Sequence, residues 1–176
     1  MIYIGIDAGL TGALSAYDPA DDDLVFCYEM PTDEIEVNGK KRRRVSEVRL
    51  LEMLGPWRGS KAVIERPEVR PLKTRNKQDG TLDRRSPGAQ GMFTFGEAYG
   101  VVRCGLIASG IFVVEVRPRI WMKGMRVGAG NDEKRRVAQE RYPRWGATFM
   151  RVKDDGLAEA SLIAEWAAQM DRKGLL

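Results

Sequence analysis

The chain has no histidine and only two cysteines. The first absence removes imidazole zinc ligands, serine-histidine-aspartate triads and imidazole general bases. The second removes thiolate zinc clusters and any disulfide framework. Cys27 and Cys104 both stand among apolar residues and are expected to be reduced core side chains. No apolar run approaches the roughly 20 residues that span a bilayer. The first residues also lack the basic stretch, apolar stretch and cleavage site of a secretory signal, so a cytoplasmic setting is expected. Any chemistry must therefore rest on carboxylates, lysines, tyrosines or bound metal. Oxygen-only ligand sets favour magnesium or manganese.

What is present is 176 residues, enough for one domain over 1–176 with a sizeable core. The apolar fraction of 43% argues against wholesale disorder. The net charge of +4 conceals strong segregation. Lys40-Lys41-Arg42-Arg43-Arg44 is an unbroken cationic run. A second basic stretch, 66–85, carries Arg66, Arg70, Lys73, Arg75, Lys77, Arg84 and Arg85 against Glu68, Asp79 and Asp83. Acids gather elsewhere, as in Asp21-Asp22-Asp23. Such segregation suits a polyanion, with nucleic acid first. A solvated loop explains either run alone; two runs beside the candidate metal site described below favour binding.

Residues 2–7, 12–17 and 24–30 read as strands joined by short turns, an antiparallel meander. Residues 31–44 form a polar connection in which Asn38-Gly39 suits the tip of a small hairpin. Ser46 is placed to cap a helix with Val48, Leu51 and Leu54 at helical spacing, stopped by Gly55-Pro56. A strand at 61–65 follows through that helix and can lie parallel to the first. Residues 66–90 carry no period, which in a compact domain marks a functional or mobile segment. Residues 92–108 read as a helix with Phe95, Tyr99, Val102 and Leu106 in register, despite three glycines that each cost roughly 1 kcal/mol. A fifth strand at 111–116, a helical turn around Trp121, a helix from Asn131 and a last helix over about 155–170 complete the order. The pattern builds a mixed sheet with its first strand central and helices alongside.

Four acids stand where these elements end or begin. Asp7 closes Ile2-Tyr3-Ile4-Gly5-Ile6 and opens the turn Ala8-Gly9-Leu10-Thr11-Gly12. Glu65 closes Ala62-Val63-Ile64, and Asp155 and Glu159 begin the last helix. An acid at the end of a buried strand is costly unless a cation or hydrogen bonds compensate it. Asp7 can instead bond the amides of its own turn. Glu65 is harder to dismiss, because glutamate is disfavoured in strands. Parallel strands ending together would set the two carboxylates side by side, where a divalent cation relieves the repulsion. Asp155 and Glu159 can serve the helix dipole, the role expected for Asp154. Glu159, however, heads the stripe Ile163, Trp166 and Met170, and Asp155 shares its face.

The ordered set Ile4-Gly5-Ile6-Asp7-Ala8-Gly9-Leu10-Thr11-Gly12, Val63-Ile64-Glu65 and Asp155-Gly156-Leu157-Ala158-Glu159-Ala160 resembles the RuvC family of Holliday-junction resolvases, closest to the small resolvase-like proteins of phages. The likeness spans essentially the whole chain. It implies a ribonuclease H-like α/β fold: a five-stranded mixed sheet, three strands antiparallel and two parallel, flanked by helices. It further implies that Asp7, Glu65, Asp155 and Glu159 hold two magnesium ions, for which manganese substitutes. The bacterial members place two aspartates three apart in the last helix; here the acids are four apart and Gly156 holds the intervening position, so Asp154 remains a fallback for Asp155. Lys134 resembles a family lysine near the scissile phosphate, with Lys123 a weaker candidate. Phe93, following Gln90-Gly91, lies where the family's DNA-facing helix begins and is either a base-stacking residue or core.

The activity implied is metal-dependent hydrolysis of a phosphodiester at branched DNA, above all four-way junctions, by a homodimer. The basic residues Lys40, Lys41, Arg42, Arg43, Arg44, Arg70, Lys73, Arg75, Lys77, Arg84 and Arg85 would bind DNA phosphates. Rival readings are a nuclease of the same fold acting on flaps, a catalytically inactive junction-binding module, and a sugar-kinase or actin-like ATPase. The last shares the Asp7-to-Gly12 turn but needs a second, duplicated half.

Overall fold

The structure, a computed structural model, describes residues 1–66 and 88–176, together with the backbone of 72–75 and 82–85. Its centre is a five-stranded sheet of order β3-β2-β1-β6-β9. These strands are β1 (Tyr3–Asp7), β2 (Ala13–Asp18), β3 (Asp23–Glu29), β6 (Lys61–Glu65) and β9 (Phe112–Val116). The first three form the antiparallel meander; β6 and β9 lie parallel to β1 and to each other. The expected mixed sheet, with β1 central, is what forms.

Side-chain alternation divides the sheet between two cores. Ile4, Ile6, Ala62 and Ile64 face a core closed by α1 (Glu47–Leu54) and α2 (Ala89–Ala108). Tyr3 and Val63 face the opposite core, filled by α3 (Pro118–Met125), α4 (Asn131–Arg141) and above all α5 (Asp155–Arg172). Helix α5 lies so close to β1 that a Cβ on Gly5 would stand 2.0 Å from the Ala160 carbonyl oxygen and 2.3 Å from the Ala164 nitrogen. Glycine at position 5 is what permits that contact.

Two hairpins leave the sheet. The polar connection before α1 folds as β4 (Thr32–Val37) and β5 (Lys40–Val45). Its tip is Asn38-Gly39, both at positive φ (52° and 70°), the backbone that a two-residue hairpin turn requires. The aperiodic segment after β6 contains β7 (Leu72–Arg75) paired antiparallel with β8 (Leu82–Arg85). The expected small hairpin with its Asn38-Gly39 tip is what forms, whereas the second pair has short polar strands with no apolar period and was not visible in the sequence.

Several expectations need correcting. Cys104 is exposed; only Cys27 is buried, and burial pushes its thiol up to about 11. Helix α1 buries Leu50 and Leu54, while Val48 and Leu51 face solvent. Ser46 occupies the N-cap position of α1 without a capping bond from its hydroxyl. Helix α2 starts at Ala89, and Phe95 lies outside its buried stripe of Ala98, Val102 and Leu106.

Candidate active site

Strand parity puts two acids on one face. In β1 the side that carries Tyr3 and Gly5 also carries Asp7; in β6 the side that carries Val63 also carries Glu65. Gly5 pairs with Val63 and Ile6 with Ile64, so the next step along both strands brings Asp7 beside Glu65. Both therefore face α5. The turn that follows Asp7 is closed by the Gly12 amide donating to the Gly9 carbonyl at 2.9 Å. A Cβ on Gly12 would meet the Asp7 carbonyl oxygen at 2.2 Å, so only glycine fits.

Helix α5 brings its first turn against that same turn. A Cβ on Gly156 would lie 2.8 Å from the Thr11 carbonyl oxygen and 2.9 Å from the Gly12 Cα. No side chain is accommodated at 156, which accounts physically for the absence of an acid there. Glu159, one turn further, faces the strand ends with Asp155 on its solvent side.

The electrostatics follow from this crowding. Asp7 is pushed up to about 6, first by burial and then by the Glu159 charge, against weaker help from the Gly9 amide and Lys134; Asp155 raises it further. Its bond from the Gly9 amide is long, at 3.4 Å, so the turn alone does not compensate it. Glu65 is pushed up to about 7 by burial, then by Glu159 and Asp7, while the Trp121 indole N–H and Lys134 pull it down. That indole nitrogen donates to Oε2 of Glu65 at 2.5 Å. Lys134 reaches in from α4, its Nζ donating to Oε1 of Glu159 at 2.7 Å. Asn131 donates its side-chain amide to Asp155, and Arg135 stands 3.6 Å from the same carboxylate. The acids are thus neighbours that feel one another's charge. Among the described residues, however, no three acids stand gathered as ready-made ligands of one ion.

Asp154, the fallback ligand, is turned elsewhere. It is fully buried and accepts from the Arg151 backbone amide at 2.7 Å and from the Arg151 guanidinium. Burial opposes its ionisation, but the Arg151 bonds outweigh this and hold its carboxyl below the usual range. Of the two, Asp155 is the acid whose charge reaches Asp7.

A parallel between this chain and solved proteins matches the geometry. The structure superimposes on Thermus thermophilus RuvC in complex with a Holliday junction substrate with a TM-score of 0.64 and 17% identity, covering 99% of this chain and 97% of that one. Against a second T. thermophilus RuvC structure the TM-score is 0.56, again at 17% identity, with 99% and 98% covered. The fold is that of RuvC. No protein-family model matches the chain, and no curated protein matches its sequence. Likeness at this identity speaks to fold alone.

Around this RuvC-like frame the other expected residues sort unevenly. Lys40, Lys41, Arg42, Arg43 and Arg44 are exposed on β5, but β4 sets Glu36, Glu34 and Asp33 opposite Lys41, Arg43 and Arg44. Lys41 bonds Glu34 at 2.6 Å, and Arg43 bonds the Thr32 hydroxyl. Three acids thus stand opposite the cationic run, but among the described residues Lys41 alone makes an ion pair across the hairpin, Asp33 pairing with Arg49 instead. Arg70 and Lys77 lie outside the described residues, as do the side chains of Lys73, Arg75, Arg84 and Arg85. Phe93 is 68% exposed and is not core. Lys123 is exposed on α3, two residues and hence about 200° around the helix from Trp121, so it points away from the acids.

Three features escaped the sequence reading. Phe95 stands at the mouth of the site, its ring 3.8 Å from where a Gly9 Cβ would lie. Trp121 and Asn131 bond the acids. Helix α3 exposes Arg119 and Lys123 along one side, and Arg126 follows at its left-handed C-cap, none paired with a carboxylate among the described residues. The four-residue step from Arg119 to Lys123 was a clue, since i and i+4 share a helix face.

Proposed function

We propose that the chain is a divalent-metal-dependent endonuclease that resolves four-way DNA junctions by paired phosphodiester hydrolysis. The observation that carries the reading is the convergence of Asp7, Glu65 and Glu159 from β1, β6 and α5 onto one face, with Asp155 at its edge. Buried carboxyls raised to about 6 and about 7 by burial and by one another's charge mark a negative site that lacks full compensation, and hard oxygen donors without histidine or thiolate fit magnesium or manganese. When bound, two such ions supply charge neutralisation at the attacking and leaving oxygens of an in-line displacement. Asp7, Glu65, Asp155 and Glu159 would hold them. Lys134 orients Glu159 and carries the buried positive charge closest to it, placing it to meet the charge that develops on phosphate.

Exposed cations on α3 and β5 and the exposed ring of Phe93 would engage the DNA backbone and opened bases. Two symmetric cuts require two sites, so a homodimer belongs to this reading. The unpartnered face of α1 and α2 supports it: Val48, Leu51 and Ile107 are exposed beside an apolar cleft of about 200 Å³ lined by Leu51, Val101, Cys104 and Gly105. No helix among the described residues is long and apolar enough to cross a membrane.

The experiment compares cleavage of a mobile four-way junction, a flap and a linear duplex with magnesium present. Paired cuts in the junction alone are expected. Equal cutting of all three would sink the resolvase reading in favour of a less selective nuclease. Asp7→Asn and Glu65→Gln should abolish cleavage while junction binding persists.

A further inference from the structure

Trp121 is fully buried, and a buried indole N–H needs an acceptor. Its acceptor here is not a backbone carbonyl but Oε2 of Glu65 at 2.5 Å, a charge-assisted bond to a member of the acid cluster. The face of the same ring lies 5.9 Å from the Lys134 ammonium, which itself bonds Glu159. One side chain therefore touches the support of two acids carried by two different elements.

The topology explains how it gets there. Glu65 pairs with Val116 at the end of β9. The chain then turns through extended Arg117 into Pro118 at the first position of α3, and the first full turn brings Trp121 back over Glu65. Helix α3 has little freedom to shift. A Cβ on Gly124 would lie 2.4 Å from the Trp166 indole nitrogen on α5, and Met125 is buried in the same core.

We propose that Trp121 is a positioning residue for the metal carboxylates, locking Oε2 of Glu65 so that its other oxygen is the one left for a divalent cation. This rests on the two-metal reading of the site and adds to it an element outside the four acids. An indole donor does here what a carboxylate or carbonyl does for a metal-bound histidine: it sets the orientation of the ligand before the cation arrives.

The test uses Trp121→Phe, which keeps an aromatic ring in the core and under Lys134 but removes the N–H. Binding of Mn2+ alone is measured by electron paramagnetic resonance and calorimetry, beside thermal unfolding in chelator and junction binding without metal. Mn2+ affinity should fall 10- to 100-fold with junction binding unchanged, and cleavage should return as Mn2+ is raised. A folded Trp121→Phe protein whose Mn2+ affinity stays within about threefold of the parent would overturn the proposal, since such losses run tenfold or more.

Should that variant not fold, the unaltered chain carries the answer. It has four tryptophans, so four indole N–H signals are expected in a 15N spectrum. One should move in Glu65→Gln, and the same one should move when Mg2+ is added to the parent. A signal that responds to Glu65→Gln but not to Mg2+ overturns the proposal. If Glu65→Gln itself binds Mn2+ as the parent does, the acid-cluster reading fails instead.

Discussion

Lys134 places its ammonium 2.7 Å from Oε1 of Glu159, with both side chains almost withdrawn from solvent. It also pulls the carboxyls of both Asp7 and Glu65 down. Removing one partner of a buried pair leaves the other charge uncompensated, a loss of about 3–5 kcal/mol. Lys134→Met should therefore lower stability in chelator by about 3 kcal/mol. Magnesium should restore more stability to this variant than it adds to the parent, while cleavage stays lost. Thermal unfolding with and without Mg2+ measures both; equal gains in the two proteins would mean that Lys134 is not the counter-charge of the site.

Asp7 and Glu65 make a pH prediction with a definite sign. Their carboxyls are raised to about 6 and about 7, so the folded chain keeps protons that the unfolded chain has released. Their effect on stability is thus absent at low pH and becomes unfavourable as pH climbs from about 4 through 7. Asp7→Asn removes one share of that penalty. In chelator the variant should be more stable than the parent by roughly 1–3 kcal/mol at pH 8, with the difference vanishing near pH 4. Denaturant unfolding at the two pH values checks it, and a pH-independent difference would contradict the raised carboxyl.

Gly5 is where the fold and the site depend on the same missing atom. An added methyl would collide with backbone atoms of Ala160 and Ala164, which cannot swing aside as a side-chain tip can. Gly5→Ala should cost about 3 kcal/mol or more, the range of severe overpacking. In whatever folded protein survives, α5 must back away from β1 and carry Glu159 from Asp7, so metal-dependent stabilisation should shrink in parallel. A variant of near-parental stability would show that the helix and strand are further apart than described.

The two cationic surfaces should differ in their dependence on salt. On β5 five cations face three acids across the hairpin, whereas Arg119 and Lys123 of α3 and Arg126 at its C-cap have no such partners among the described residues. Each phosphate contact contributes about 0.9 to the slope of log affinity against log salt. Neutralising Arg119, Lys123 and Arg126 should flatten the slope for junction binding by about 2 to 3, and neutralising Lys40 to Arg44 by about 2 at most despite the larger number removed. Titrations at several salt concentrations decide; a larger change per residue on the hairpin would reverse the ranking.

Much of the architecture was legible because local patterns and tertiary demands agreed. The apolar strands ending in Asp7 and Glu65, the turn closed by Gly12 and the alanine-rich helix opened by Asp155 each announce themselves within a few residues. The hairpin β4–β5 showed only its Asn38-Gly39 tip, since one strand is rich in acids and the other an unbroken cationic run, neither with a sustained alternation of apolar and polar residues. Cys104 and Phe95 misled for a related reason. A period of three or four shows which residues share a helix face but not whether anything covers that face.

What the sequence determined by itself is therefore the donor chemistry and its strand parity: carboxylates without histidine, placed two residues after Gly5 and Val63 on the sides that turn to α5. Which carboxylates meet was decided by the tertiary structure. Asp154 and Asp155 are adjacent in the chain and alike in composition, yet Arg151 draws one into a buried pair while Asn131 and Arg135 hold the other at the site. The indole of Trp121 reaches Glu65 across 56 residues of chain. Such contacts are set by packing between elements distant in sequence, where no local preference of the backbone carries the information.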